Sequence, residues 1–189
     1  MKILSIGNSF SQDAQRYLHR LALKEGVQLK TVNLYIGGCS LEQHWQNVRS
    51  GQARYQYQLN GVITERYVSI ATALAEEPWD IIVTQQASHD SGWLDTYEPF
   101  LSLLTAYIRQ QAPTARLFLQ ETWAYEIDST HGGFARYDHD QQEMYRRLHH
   151  CYRAMAEKHT LGLIPCGTVI QSARELPAFR VQEGGLSLC

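Results

Sequence analysis

Short runs rich in β-branched and other apolar residues alternate along this chain with segments in which apolar residues recur at helical spacing. This alternation is typical of a parallel sheet covered by helices, since parallel strands need a crossover connection between them. We predict an α/β protein built as a three-layer sandwich around five parallel strands. Residues 54–65, where apolar residues alternate up to Asn60-Gly61, predict a small additional β-hairpin.

Length and composition favour one globular domain over residues 1–189, with 44% hydrophobic and 19% charged residues. The formal net charge of −2 provides no basic surface, so we predict no nucleic-acid partner. Apolar runs fall well short of the roughly 20 residues that cross a bilayer, and no signal peptide precedes the first strand, so we predict no membrane partner. Four scattered cysteines fit a reducing compartment, and we expect a cytoplasmic protein.

The first predicted strand runs directly into Gly7-Asn8-Ser9 and then into a helix. A hydroxyl at the carboxyl end of a strand and the first turn of a helix stands clear of the sheet, near backbone N–H groups and the positive helix end. Ser9 could therefore be a nucleophile beside an anion site, or the motif could be only a well-capped turn. Ala14, Leu18 and Leu21 follow at helical spacing and predict a helix packed on the sheet.

Unusual residues also follow the other predicted strands. Gly37-Gly38 follow the second strand, Gln86 and His89 follow the third, and Trp123 and Tyr125 follow the fourth. In open parallel sheets the ligand site lies beyond the carboxyl ends of the strands. We therefore expect these residues to meet near Ser9.

These motifs resemble those of the SGNH (GDSL-like) hydrolase superfamily, and especially a DUF4886-like branch of bacterial domains that opens with Gly-Asn-Ser-Phe-Ser. The likeness extends over nearly the whole chain. Gly7-Asn8-Ser9 matches the nucleophile block, Gly38 matches the oxyanion glycine, and the stretch from Trp79 to Ser88 matches the third block. The resemblance implies a flavodoxin-like sandwich with strand order 2-1-3-4-5 and catalysis without a cofactor.

An esterase mechanism is what the resemblance implies, with Ser9 attacking an ester carbonyl while the amides of Ser9 and Gly38 hold the oxyanion. The superfamily's Gly-x-Asn-Asp, which supplies a further side-chain donor, is not present here. We favour Gln86 as that donor, with His89 as the alternative. The expected substrate is a small or carbohydrate O-acyl ester, contacted by Asn8, His89, Trp123 and Tyr125.

The late Asp-x-x-His block, from which the superfamily takes its base, is missing from this sequence. Removing the histidine of a serine triad costs about a million-fold in rate. Three explanations stay open: the chain stops short of that block and its final helix, the domain is a pseudoenzyme, or His131 or His139 substitutes. We expect the first, or a partner that covers the sheet face left bare, and a homodimer stays open.

A non-catalytic, carbohydrate-binding pseudoenzyme of the same fold is the rival hypothesis. Metal binding is not expected, because His149-His150 point apart on a helix and no further ligands at suitable spacing accompany them or Asp138-His139-Asp140.

Overall fold

The computed structural model describes residues 1–188. One sheet contains all of its strands, which are β1 (Lys2–Gly7), β2 (Lys30–Tyr35), β3 (Tyr55–Leu59), β4 (Val62–Val68), β5 (Ile81–Thr84), β6 (Arg116–Gln120) and β7 (Gly162–Ile164). The helices are α1 (Ser9–Gln15), α2 (Leu18–Lys24), α3 (Leu41–Ser50), α4 (Ile70–Glu76), α5 (Phe100–Gln111), α6 (Gln141–His159) and α7 (Cys166–Ala173).

The sheet has the order β4-β3-β2-β1-β5-β6-β7, and its β2-β1-β5-β6-β7 part is parallel. The predicted α/β class is confirmed, but the sheet has seven strands where five were predicted, because the additional hairpin β3-β4 is part of it. Strand β3 pairs antiparallel with β2, with Val32 opposite Leu59, so the hairpin extends the sheet to seven strands. Pairing of β3 satisfies the edge of β2 that would otherwise expose unpaired backbone groups.

One continuous core joins Leu4, Ile6 and Ile82 of the central strands to apolar residues of α3, α4, α5 and α6. Side chains alternate along each strand, so Ile3 and Val83 face the opposite side of the sheet, where α1 lies. A groove of about 440 Å³ on that side has a mainly apolar lining that includes Ile3, Ile81, Val83, Phe118 and Ile164.

The prediction of one packed helix across residues 14–22 was wrong. Gln15 is anchored over the sheet through a 2.5 Å hydrogen bond from its Nε2 to Ser5 Oγ, and the chain then turns at Arg16-Tyr17. Helix α2 consequently buries none of its residues, and Leu21 is 58% exposed. Among the described helices, none combines the length and the hydropathy needed to cross a membrane.

Candidate active site

Ser9 is the first residue of α1, immediately after the N-cap residue Asn8, and it is exposed. The buried Asn8 side chain accepts a hydrogen bond from Phe10 N at 3.1 Å and donates one to the carbonyl oxygen of Cys39 at 3.1 Å. The first amides of a helix have no partner within the helix, so the N–H of Ser9 is directed out of the helix end. The result is an accessible hydroxyl on a backbone that is held on both sides.

A close-packed polar layer supports Asn8 from below. Ser11 Oγ accepts from Asn8 N at 3.1 Å, and Gln85 Nε2 donates to Asn8 Oδ1 at 3.1 Å. A Cβ on Gly7 would fall 2.7 Å from Gln85 Nε2 and nearer still to Ser11 Oγ. Gly7 is therefore required by the close approach of these side chains.

The turn after β2 places Gly38 beside the end of β1. Gly38 is exposed and has a φ of +64°, a left-handed conformation that glycine adopts without strain. The following Cys39 is the residue whose carbonyl Asn8 holds, so the two turns are joined. Within residues 1–188, nothing lies within 4 Å of the position of a Cβ on Gly38, which leaves open space beside this turn.

Ser9 opens into a cleft of about 350 Å³ with aromatic walls. The rings of Phe10 and Trp123 lie 4.4 Å apart, and those of Tyr125 and His131 lie 4.5 Å apart. Tyr125 OH lies 2.7 Å from Ser88 Oγ, which fixes that wall. The remaining lining residues are Gln12, Asp13 and Ser129.

The structure brings Trp123 and Tyr125 to this cleft, places Asn8 beneath it, and sets His89 behind His131, with their rings 6.4 Å apart. His89 Nε2 lies 3.4 Å from Asp90 Oδ2. His139 is not among the residues lining the cleft and packs on Phe134 with ring centroids 5.3 Å apart.

Gln86 is buried and engaged on every side. Its Nε2 donates to the carbonyl oxygen of Thr96 at 2.9 Å and contacts Thr96 Oγ1 at 3.1 Å. Its Oε1 accepts from the backbone N–H groups of Leu41 and Ala87, each at 2.9 Å. In this geometry both amide hydrogens are directed at Thr96, away from a ligand role.

The structure also reveals a buried cluster next to the Gly38 turn. His44 Nδ1 lies 2.8 Å from Tyr55 OH and 3.4 Å from Cys39 Sγ. Burial lowers the pKa of His44 to about 3 and raises the pKa of the Cys39 thiol to about 12. Both groups are therefore neutral near pH 7 and act as packing for the turn.

Sequence reasoning did not single out Gln12 and Asp13 as cleft residues. They follow Ser9 by three and four positions, which puts them on the same face of α1. Helical spacing counted from Ser9 was the signal that could have found them.

The mainly parallel sheet and its covering helices are similar to those of solved SGNH hydrolases. A proposed SGNH hydrolase from Slackia heliotrinireducens has 22% sequence identity and a TM-score of 0.60, covering 94% of this chain and 84% of its own. An acetyl xylan esterase has 13% identity and a TM-score of 0.54, covering 86% of this chain and 76% of its own. These likenesses establish the fold.

The chain belongs to the DUF4886 family, a domain of unknown function whose sequence profile matches residues 2–180. A DUF4886 family protein from Bacteroides uniformis has 42% identity and a TM-score of 0.87, with 92% of this chain and 70% of that chain covered. No curated protein sequence gives a significant match.

Proposed function

We propose that this protein is a serine ester hydrolase that acts through Ser9 on a small or carbohydrate O-acyl ester. The observation that carries the proposal is the exposed Ser9 hydroxyl at the start of α1, inside an aromatic cleft and on a backbone held by Asn8. Ser9 Oγ would add to the ester carbonyl and lose its proton to a base. The alcohol would leave with a proton, and water would then release the acid from Ser9.

The N–H groups of Ser9 and Gly38 are the proposed oxyanion donors. Both belong to turns at neighbouring strand ends, and Asn8 joins those turns through Cys39. Backbone amides held in this way need no rearrangement as negative charge develops on the carbonyl oxygen. Because the Gln86 amide is directed at Thr96, it has no part in the proposed mechanism.

The availability of a base for Ser9 limits the rate of ester hydrolysis that residues 1–188 can support. His131 is the histidine that lines the cleft in this part of the chain, and its Nδ1 accepts a hydrogen bond from Gly133 N instead of donating to a carboxylate. Oxyanion binding and positioning alone retain about 10³- to 10⁴-fold catalysis over water. This residual rate does not require the serine hydroxyl, so we expect Ser9-dependent turnover to emerge when added imidazole serves as the base.

The cleft suits a substrate with a small acyl group. Its volume of about 350 Å³ accommodates an acetyl group next to Ser9 and a sugar ring against Trp123 or Tyr125. One structural neighbour is named as an acetyl xylan esterase, which is compatible with this choice.

Hydrolysis of p-nitrophenyl acetate, with and without imidazole, tests the proposal. The Ser9-dependent rate is the wild-type rate minus the rate of Ser9→Ala at the same imidazole concentration. This subtraction also removes the direct attack of imidazole on the ester. Ser172→Ala removes an exposed hydroxyl on α7 that bonds the carbonyl oxygen of Thr168 on the same helix, and it should behave like the wild type. Equal rates for wild type and Ser9→Ala at every imidazole concentration would overturn the proposal.

A ligand-binding domain without catalysis is the second candidate, favoured by the Gly133–His131 hydrogen bond, which occupies the ring nitrogen that a catalytic carboxylate would orient. It predicts that acetylated xylo-oligosaccharides bind to wild type and Ser9→Ala with equal affinity in calorimetry. Turnover would then be absent even with imidazole.

A further inference from the structure

We infer that His131 is a hydrogen-bond donor of the Ser9 cleft, which holds an oxygen atom of the ligand through its Nε2–H, and that it is not the base for Ser9. The effect of this donor on turnover rests on the proposed function. The position of the proton on the His131 ring does not depend on it.

The hydrogen bond at Nδ1 determines where the proton of the neutral ring lies. Gly133 N donates to His131 Nδ1 at 3.0 Å, and this bond caps the 3-10 helix Gly132–Tyr137. An imidazole nitrogen that accepts a hydrogen bond carries no proton, so the neutral ring of His131 carries its proton on Nε2.

The exposed ring of His131 is positioned by contacts with neighbouring rings. Tyr125 lies against one side with a centroid distance of 4.5 Å, and His89 is the next ring along at 6.4 Å. A Cβ on Gly133 would fall 2.4 Å from His89 Cβ and 3.0 Å from His131 Nδ1, so the glycine permits the close approach of both histidines. The carboxylate of Asp90, the residue after His89, pairs with both His89 and Arg136.

A base for serine has the opposite arrangement, with Nδ1–H donated to an acceptor and a bare Nε2 facing the hydroxyl. In His131 the Nδ1 is the acceptor and Nε2 bears the hydrogen. The Nε2–H can therefore donate a hydrogen bond to an acceptor in the cleft. In an ester ligand, that acceptor is a carbonyl, ether or hydroxyl oxygen.

Two substitutions separate the two ring nitrogens. In His131→Gln the side-chain amide nitrogen reaches the place of Nε2 and keeps a donor there, but the cap is lost. In His131→Asn the amide oxygen keeps the cap at the place of Nδ1, but the donor is lost. Circular dichroism confirms that both variants are folded before they are assayed.

For p-nitrophenyl acetate hydrolysis with imidazole, we expect kcat/KM of His131→Gln within about threefold of wild type. We expect His131→Asn to lose about 10- to 100-fold, the effect of deleting one ligand-binding donor. A base role instead predicts Ser9-dependent turnover of the wild type without imidazole, which both variants lose and which imidazole restores. A wild-type kcat/KM in both variants would show that His131 makes no hydrogen bond to the ligand and would overturn the inference.

Nitrogen-15 NMR tests the inference without any need for activity. The His131 signals, assigned by their absence in His131→Gln, should report an Nε2–H tautomer at pH 8. In Ser9→Ala, added p-nitrophenyl acetate should shift the Nε2–H resonance. An Nδ1–H tautomer, or no shift at the solubility limit of the ester, would overturn the inference, whereas absent turnover with these NMR results would count only against the hydrolase proposal.

Discussion

Asn8 Nδ2 donates a 3.1 Å hydrogen bond to the carbonyl oxygen of Cys39 and thereby joins the turn that carries Ser9 to the turn that carries Gly38. The same side chain caps α1 through Phe10 N. One buried amide thus sets both the direction of Ser9, the proposed nucleophile, and the spacing between the two proposed oxyanion donors.

Replacing Asn8 with alanine should lower both stability and Ser9 reactivity. We expect a loss of about 1–3 kcal/mol in the free energy of unfolding, because the cap is lost and the amide of Gln85 loses its acceptor. Urea denaturation measures that loss, and p-nitrophenyl acetate hydrolysis measures reactivity. Ser69→Ala is the control, since it removes the cap of α4 and the contact with Thr72 Oγ1, and it should cost about 1 kcal/mol while reactivity is retained. Wild-type reactivity in Asn8→Ala would contradict the joining role.

Gln86→Ala should primarily destabilise the fold. The substitution leaves the N–H groups of Leu41 and Ala87 buried without their acceptor, at a cost on the order of 3 kcal/mol or more. Gln46→Ala removes an exposed glutamine that bonds only Glu42 on the same helix, and urea denaturation should detect little change. If Gln86→Ala kept its stability but lost about 100-fold or more in kcat, an oxyanion role for this amide would replace the structural one.

Gly38→Ala and Gly51→Ala form a matched pair. Both glycines have a positive φ, +64° and +63°, and neither has an atom within 4 Å of a new Cβ. Each variant should lose about 1 kcal/mol or slightly more in unfolding free energy through left-handed strain. Only Gly38→Ala should lower Ser9-dependent turnover, by about tenfold or more, because relief of the strain turns its N–H away from the carbonyl. Equal turnover in the two variants would remove Gly38 from the mechanism.

Acid should destabilise the protein through His44. Its folded pKa of about 3 lies below the ordinary value of 6.5, so the unfolded chain binds more protons between these limits. The contribution is fully present above pH 6.5 and is lost as the pH falls, by about 1.4 kcal/mol per pH unit. Urea denaturation from pH 7 to pH 4 should give His44→Asn a shallower slope than wild type by that amount. His150→Asn, an exposed change on α6, should keep the wild-type slope; equal slopes in all three proteins would show that His44 is not buried neutral.

Local patterns predicted much of this molecule. The strand–turn–helix at Gly7-Asn8-Ser9 depends on residues that are neighbours in the chain, so its position could be read directly from the sequence. The antiparallel pairing of β3 with β2 brings together residues that are distant in the chain, such as Val32 and Leu59. The periodicity of apolar residues does not encode such a pairing. For the same reason, the apolar residues at helical spacing through Leu21 indicated a helix but did not show whether that helix packs on the sheet.

Side-chain direction was the other limit. A glutamine after a strand can face a ligand or a loop, and the choice for Gln86 depends on Thr96 and on Leu41, which comes from another part of the chain. The role of His131 likewise depends on which ring nitrogen meets Gly133 N. Such choices require the folded loop.

Covalent trapping of Ser9 tests the central claim most directly. Diethyl p-nitrophenyl phosphate transfers its phosphoryl group to a reactive serine, and mass spectrometry of a proteolytic digest locates the label. We predict one label, on Ser9, that forms faster with imidazole, persists in Ser172→Ala and disappears in Ser9→Ala. Labelling elsewhere, or no labelling of the folded protein at any imidazole concentration, would contradict a nucleophilic role for Ser9.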